Sequence, residues 1–148
     1  MSSYIPNPAL RIETAIVSYI STSLSGSGFL SASMHYLTGY GQEDKDGAAI
    51  MATCNNYEET YFQTRVYRFN VDVSVKEIAW DTTTSSFRDF GGNVFALFGS
   101  DKTASLGISS QTDNLNLYQL QVLGNSSTRA EDAWVSTLNL SIVAALYD

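Results

Sequence analysis

His35 is the only histidine of this 148-residue chain and Cys54 its only cysteine, so any mechanism that needs an imidazole or a thiolate must pass through one of them. A Ser/His/Asp relay or a zinc site at His35 would require a second ligand or a marked nucleophile. The flanking Met34 and Tyr36 supply neither, and His35 reads as a surface or packing residue. Cys54 excludes an internal disulfide and lacks partners for a thiolate metal site. Within Ala48-Ala49-Ile50-Met51-Ala52-Thr53-Cys54 it reads as a buried strand thiol.

The carboxylates are the next source of chemistry. Asp44-Lys45-Asp46-Gly47 places acids at alternate positions before a glycine, as a calcium loop does. Aligning Gly47 with that loop's glycine puts Gln42 first and Thr53 last, so the opening acid and the closing bidentate acid are both missing. Gly39 and Gly41 lack the third glycine and the feeding strand of a dinucleotide fingerprint. Glu43, Asp44, Asp46, Glu58 and Glu59 fall in two loops flanking one strand, a placement open to a general acid and base pair. Without an aromatic-lined cleft they read as solvated loop charges. The expectation is no enzyme, no cofactor and no metal. Tyr57, Tyr61 and Phe62, in or beside the second of these loops, are either anchors for a protein partner or side chains folded back onto the domain.

The elements that would position these residues follow from periodicity. Ala9, Ile12, Ile16, Ile20 and Leu24 recur at steps of three or four, which predicts a helix opened by Asn7 or Pro8 and stopped by Ser25-Gly26-Ser27-Gly28. Residues 29–47 read as a loop with a short element. Ala48 to Asn55, an apolar run between turn residues, predicts a strand buried on both faces, with residues 55–60 a polar connector. From Arg65 to Lys76, apolar Tyr67, Phe69, Val71, Val73 and Val75 alternate with Arg68, Asn70, Asp72, Ser74 and Lys76, which predicts a long strand with one wet face, antiparallel to the strand before it.

Ser86 and Asp89 have the spacing of an acidic capping box, and Phe87, Phe90, Val94 and Leu97 or Phe98 form the stripe of a second helix across Gly91 and Gly92. Leu117 to Leu123 and Trp134 to Ala144 predict two further strands, with Gly124-Asn125-Ser126-Ser127 as a turn. The order helix, strand, strand, helix, strand, strand describes one α+β domain over residues 1–148, a mainly antiparallel four-stranded sheet with two packed helices.

Composition agrees with a packed domain: 44% of residues are hydrophobic and 16% charged, enough apolar surface to offset the entropy of ordering. Fifteen acids against eight scattered bases argue against a grip on a phosphate backbone, although an acidic wall suits a hole through which DNA passes without sticking. No apolar run approaches the roughly 20 residues that span a bilayer, and the Met1-Ser2-Ser3-Tyr4-Ile5-Pro6 start lacks the basic and apolar regions of a secretory signal. The chain is expected to be made in a cytoplasm and to have no membrane partner. Asn125-Ser126-Ser127 and Asn139-Leu140-Ser141 match the glycosylation pattern by chance in a Ser- and Thr-rich chain.

In layout the chain resembles the tail terminator, or tail completion, proteins of long-tailed bacteriophages. The resemblance rests on the helix led by Leu10-Arg11-Ile12-Glu13, the alternating strand Arg65 to Lys76, the mid-chain helix after Trp80-Asp81, and the closing segment Arg129-Ala130-Glu131-Asp132-Ala133-Trp134-Val135-Ser136-Thr137-Leu138. The Gly-rich acidic segment at 39–47 departs from it. The resemblance implies a virion protein of the tail or neck: a homo-hexameric ring that caps the tail tube protein, halts tube growth and meets the head-tail connector or head completion protein. Genomic DNA would cross its lumen without specific binding. On this reading Glu43, Asp44, Asp46, Glu58 and Glu59 are lumen or partner-facing acids, beside Tyr57, Tyr61 and Phe62. The competing classes are a head completion or minor tail protein, a monomeric protein-binding module and, last, a small hydrolase using the acidic loops.

Overall fold

The computed structural model describes residues 7–24, 35–38, 49–59, 65–78, 94–112, 114–130 and 133–147. The acidic Gly-rich segment 39–47, Tyr61, Phe62 and the predicted helix start at 86–93 lie outside these residues.

The first helix, α1, runs Pro8–Leu24, the span its periodicity predicts. Asn7 enters it with φ 52°, a left-handed angle that Asn tolerates, and its carbonyl accepts the Arg11 N–H at 3.1 Å. Pro8 takes the first helical position, where a missing N–H has no intrahelical acceptor to lose. Ile12, Ile16 and Ile20 are wholly buried, and each contributes about 1.5–3 kcal/mol by leaving water.

Four long strands form the antiparallel part of the sheet. β2 is Ala49–Glu59, β3 is Val66–Ile78, β4 is Leu115–Ala130 and β5 is Ala133–Leu146. A short strand, β1 (His35–Thr38), adds to the edge parallel to β2, giving the order β1-β2-β3-β5-β4. The α+β class and the antiparallel β2–β3 pair are as the sequence predicts. The added fifth strand is the short element expected within residues 29–47.

Three boundaries differ from expectation. β2 continues to Glu59 rather than ending at Asn55, because Asn56 to Glu59 pair with Asn70 to Tyr67 of β3. Tyr57, Glu58 and Glu59 are thus strand residues and not part of a connecting loop. The turn expected at Gly124–Ser127 is the interior of β4, whose residues pair with Asn139 to Ser136. The hairpin closes instead between Ala130 and Ala133. Val94 and Phe98 of the predicted second stripe are buried, but only one helical turn, 94–96, forms there among the described residues. A helix missed by periodicity, α2 (Asp101–Ser109), follows it, capped by Ser100, whose Oγ accepts the Thr103 N–H at 3.4 Å.

α1 packs on β1 and β2, α2 on β4, and the two helices touch. Between them and the sheet lies a core built from Ile12, Ile16, Ile20, Phe98 and Ile108 on the helical side and Ile50, Phe69, Val71, Leu140, Ile142 and Leu146 on the strands. The alternation in β3 sorts as expected: Tyr67 to Val75 at the odd positions are buried, while Arg68 is exposed and Asn70, Asp72, Ser74 and Lys76 are half-buried.

Candidate assembly interface

The face of the sheet away from α1 and α2 is polar. Asn139 Nδ2 donates to Asp72 Oδ1 at 2.7 Å and Asn70 Oδ1 at 3.1 Å, and Asn55 Nδ2 donates to Asp72 Oδ2 at 2.9 Å and Asn70 Oδ1 at 3.2 Å. Both oxygens of Asp72 are therefore held by amides from the two flanking strands. One row further, the Ser74 and Thr137 hydroxyls pair at 3.2 Å. Cross-strand register places Glu58 opposite Arg68 on this face, with Lys76 further along β3. Among the described residues its charges are two acids, Glu58 and Asp72, and two bases, Arg68 and Lys76, set between amides and hydroxyls. Such a face is wettable without being a cation patch.

At the far end of β2 the predicted residues separate by side. Tyr57 lies on the core side, 45% exposed, with its ring centroid 6.0 Å from those of both Tyr67 and Phe69. It folds onto the sheet and still presents an exposed edge, so both readings of this aromatic describe part of it. Glu59 Oε2 accepts the Arg65 N–H at 2.7 Å, where Arg65 holds φ 60°. That carboxylate secures the turn into β3. Glu43, Asp44, Asp46, Tyr61 and Phe62 lie outside the described residues.

Tyr118, Leu120 and Val122, alternating with Gln119 and Gln121, read as one apolar strand face, yet only Leu120 of the three is buried. Exposed apolar side chains along β4 and its neighbours are Tyr118 (56%), Leu123 (52%) and Val122 on the strand, Leu106 (64%) on α2, and Tyr147 after β5. Tyr118 and Leu106 share a shallow hollow of about 280 Å³ with Asp101, Lys102, Ser105 and Leu117. A hydrogen bond to the Tyr118 hydroxyl raises the Tyr147 pKa above the ordinary phenol range. Tyr118 and Leu123 are the extra residues of two β-bulges, at Leu117/Gln119 and Val122/Gly124, whereas Val122 pairs with buried Leu140 on the core side and is exposed without a bulge of its own. One signal in the sequence pointed here: Val122 and Leu123 are consecutive, and adjacent strand residues cannot both face one core.

The buried titratable groups serve the fold. Glu13 is 5% exposed, and its Oε2 accepts the Cys54 N–H at 2.6 Å. Burial raises the Glu13 pKa, a shift the Cys54 N–H partly opposes. Burial, with the nearby Glu13 charge, pushes the Cys54 thiol up to about 11, away from thiolate chemistry. Among the described residues no group of three or more His, Cys, Asp or Glu could hold a metal ion, and no helix is long and apolar enough to cross a membrane.

This fold has a solved counterpart. A chain in the structure titled "Virion of native gene transfer agent (GTA) particle" superposes with a TM-score of 0.55, covering 95% of this chain and 98% of that one at 12% identity. At that identity the likeness is one of fold. No protein-family model matches the sequence, and no curated protein matches it.

Proposed function

We propose that this chain is a virion structural subunit, a single domain that acts as a tail terminator. Copies close into a ring of six on the tail tube, stop its growth and present a surface to the head connector or head completion protein. The observation that carries this reading is the end-to-end fold likeness to a chain of a gene transfer agent virion, which leaves almost no part of either chain unmatched. A graft of one common motif onto an unrelated protein would not extend over both lengths.

The chemistry supports an assembly role over catalysis. The carboxylates of Glu13, Glu59, Asp72 and Asp101 each accept hydrogen bonds within the fold, whereas the exposed apolar groups Leu106, Tyr118, Val122 and Leu123 offer surface for a partner. Head-to-tail contacts between identical subunits close into rings when the rotation permits. The polar, charge-balanced sheet face, together with Glu43, Asp44, Asp46 and Glu58, suits a wall past which DNA slides without adhering. Glu59 sits beside Glu58 at the same end of β2 but spends one oxygen on Arg65. Tyr57, Tyr61 and Phe62 are the aromatic anchors we assign to a neighbouring subunit.

Imaging of the purified protein with and without tail tubes tests the proposal. Rings seated on tube ends are the expected result; a strict monomer at high concentration that leaves tubes uncapped contradicts it. Binding to head connectors alone would favour a head completion protein instead.

A further inference from the structure

Among the described residues, the outer edge of β4 is closed along one half and open along the other. Where α2 lies against it, the Leu117 N–H donates to Ser109 Oγ at 2.9 Å and the Leu120 N–H to Asp101 Oδ1 at 2.9 Å. These are the amides that point away from β5, and side chains of the helix satisfy both. Past Leu120 the pattern changes. The two-residue period, stepped once at the Val122/Gly124 bulge, turns the N–H groups of Val122, Asn125 and Ser127 to the same outer side. Every residue from Gln121 to Thr128 is exposed.

Native sheets close an edge with charge, with Pro or with a covering element, because a bare edge templates another strand. α2 is that cover for the first half. The second half, Gln121-Val122-Leu123-Gly124-Asn125-Ser126-Ser127-Thr128, has no charged residue and no Pro, and among the described residues no helix side chain caps it. Its surroundings indicate what would fit there. With fifteen acids against eight bases, two copies of this chain repel over most of their surfaces, and an uncharged strand edge is where they meet without that penalty. Gly124 has open space around the position of its missing Cβ, so another backbone can approach closely.

We propose that residues 121–128 of β4 are a strand-addition surface that takes an extended segment of a second copy of this chain, the neighbour in the ring. The inference rests on the ring reading and adds to it the contact that joins the subunits. About 27 Å of backbone, at about 3.4 Å per residue, supplies main-chain hydrogen bonds, and Val122 and Leu123 supply the apolar contact that favours one register.

Asn125→Pro removes an outward N–H at an edge position where Pro leaves the β4–β5 pairing intact, and Asn125→Ala is its control, keeping that N–H. Association measured by sedimentation is expected to weaken about tenfold for Asn125→Pro, as the loss of one main-chain hydrogen bond with its partner carbonyl left unpaired implies, and to stay within about twofold for Asn125→Ala. Thermal melting of both variants checks folding. Amide hydrogen exchange on the unmodified protein tests the same point without mutation: on assembly, Val122, Asn125 and Ser127 should gain protection that the dilute chain lacks. Rings that form while these amides exchange freely overturn the strand-addition surface and leave the ring reading standing. A chain that never associates overturns both.

Discussion

The Glu13 carboxylate, in the middle of α1, accepts the main-chain N–H of Cys54 at 2.6 Å beside the bulge in β2 between Cys54 and Asn56. This bond fixes the helix on the sheet at one register, since a helical residue one position away would present its side chain about 100° around the axis. It also explains a carboxylate in an otherwise apolar interface: the bulge disturbs the ladder locally, and a buried amide without an acceptor is costly.

Two substitutions separate the hydrogen bond from the charge. Glu13→Ala leaves the Cys54 N–H without its acceptor and is expected to lower stability by about 1–3 kcal/mol. Glu13→Gln keeps an acceptor and removes the ionisation. Because burial raises the folded-state pKa of Glu13 above the ordinary value of 4.5, its protonated form contributes stability that is full below that value and lost as pH rises through the raised one. Denaturant titrations across a pH series should show the unmodified chain falling relative to Glu13→Gln as pH climbs from mildly acidic to neutral. A pH-independent difference would contradict the assignment.

Gly107 stands on α2 facing Tyr19 of α1, and a Cβ built there falls inside contact distance of the Tyr19 ring. That ring is held at its other end, where the hydroxyl donates to the Leu97 carbonyl at 2.7 Å. Gly107→Ala should therefore destabilise the protein by about 1–3 kcal/mol through overpacking, although Ala favours a helix by about 1 kcal/mol over Gly. A raised melting temperature would mean that the helices separate more easily than this packing implies.

Asp101 accepts both the Ser105 hydroxyl and the Leu120 N–H at 2.9 Å, tying the first turn of α2 to the strand edge. Asp101→Ala is expected to cost about 1–2 kcal/mol. It should also speed hydrogen exchange at Leu120 more than at Leu117, whose acceptor is Ser109. Equal acceleration at both would indicate that the whole helix has come away.

Glu59 holds the Arg65 amide at a left-handed backbone angle. Glu59→Ala should lower stability by about 1 kcal/mol, whereas Glu58→Ala, on an exposed position opposite Arg68, should stay within about 0.5 kcal/mol. Paired denaturation curves check the contrast, and equal losses would contradict it.

The parts of this fold that were legible in the sequence are those whose side chains meet the core at a regular period. The Ile12, Ile16 and Ile20 stripe and the Tyr67 to Val75 alternation each mark one buried face. The missed parts lack that signal for identifiable reasons. Asn55 to Glu59 and Gly124 to Thr128 are strands by main-chain pairing alone, with most of their side chains in water, so their composition imitates loops. α2 buries only Ala104, Ser105 and Ile108 and contains a glycine, which leaves too little stripe to read. The exposed β4 residues Tyr118 and Leu123 sit at two bulges, each of which moves side chains across the sheet by a step that alternation cannot anticipate. Of the predicted site, the Tyr57 to Glu59 cluster is present but on a strand end, split between two faces.

Native mass measurement of the purified chain over a concentration series, followed by imaging of the same sample mixed with tail tubes, bears most directly on the assembly role. A closed six-subunit species that accumulates with concentration and is found at tube ends is the expected result. A chain that remains monomeric at every concentration and stays unbound in the presence of tubes would contradict it.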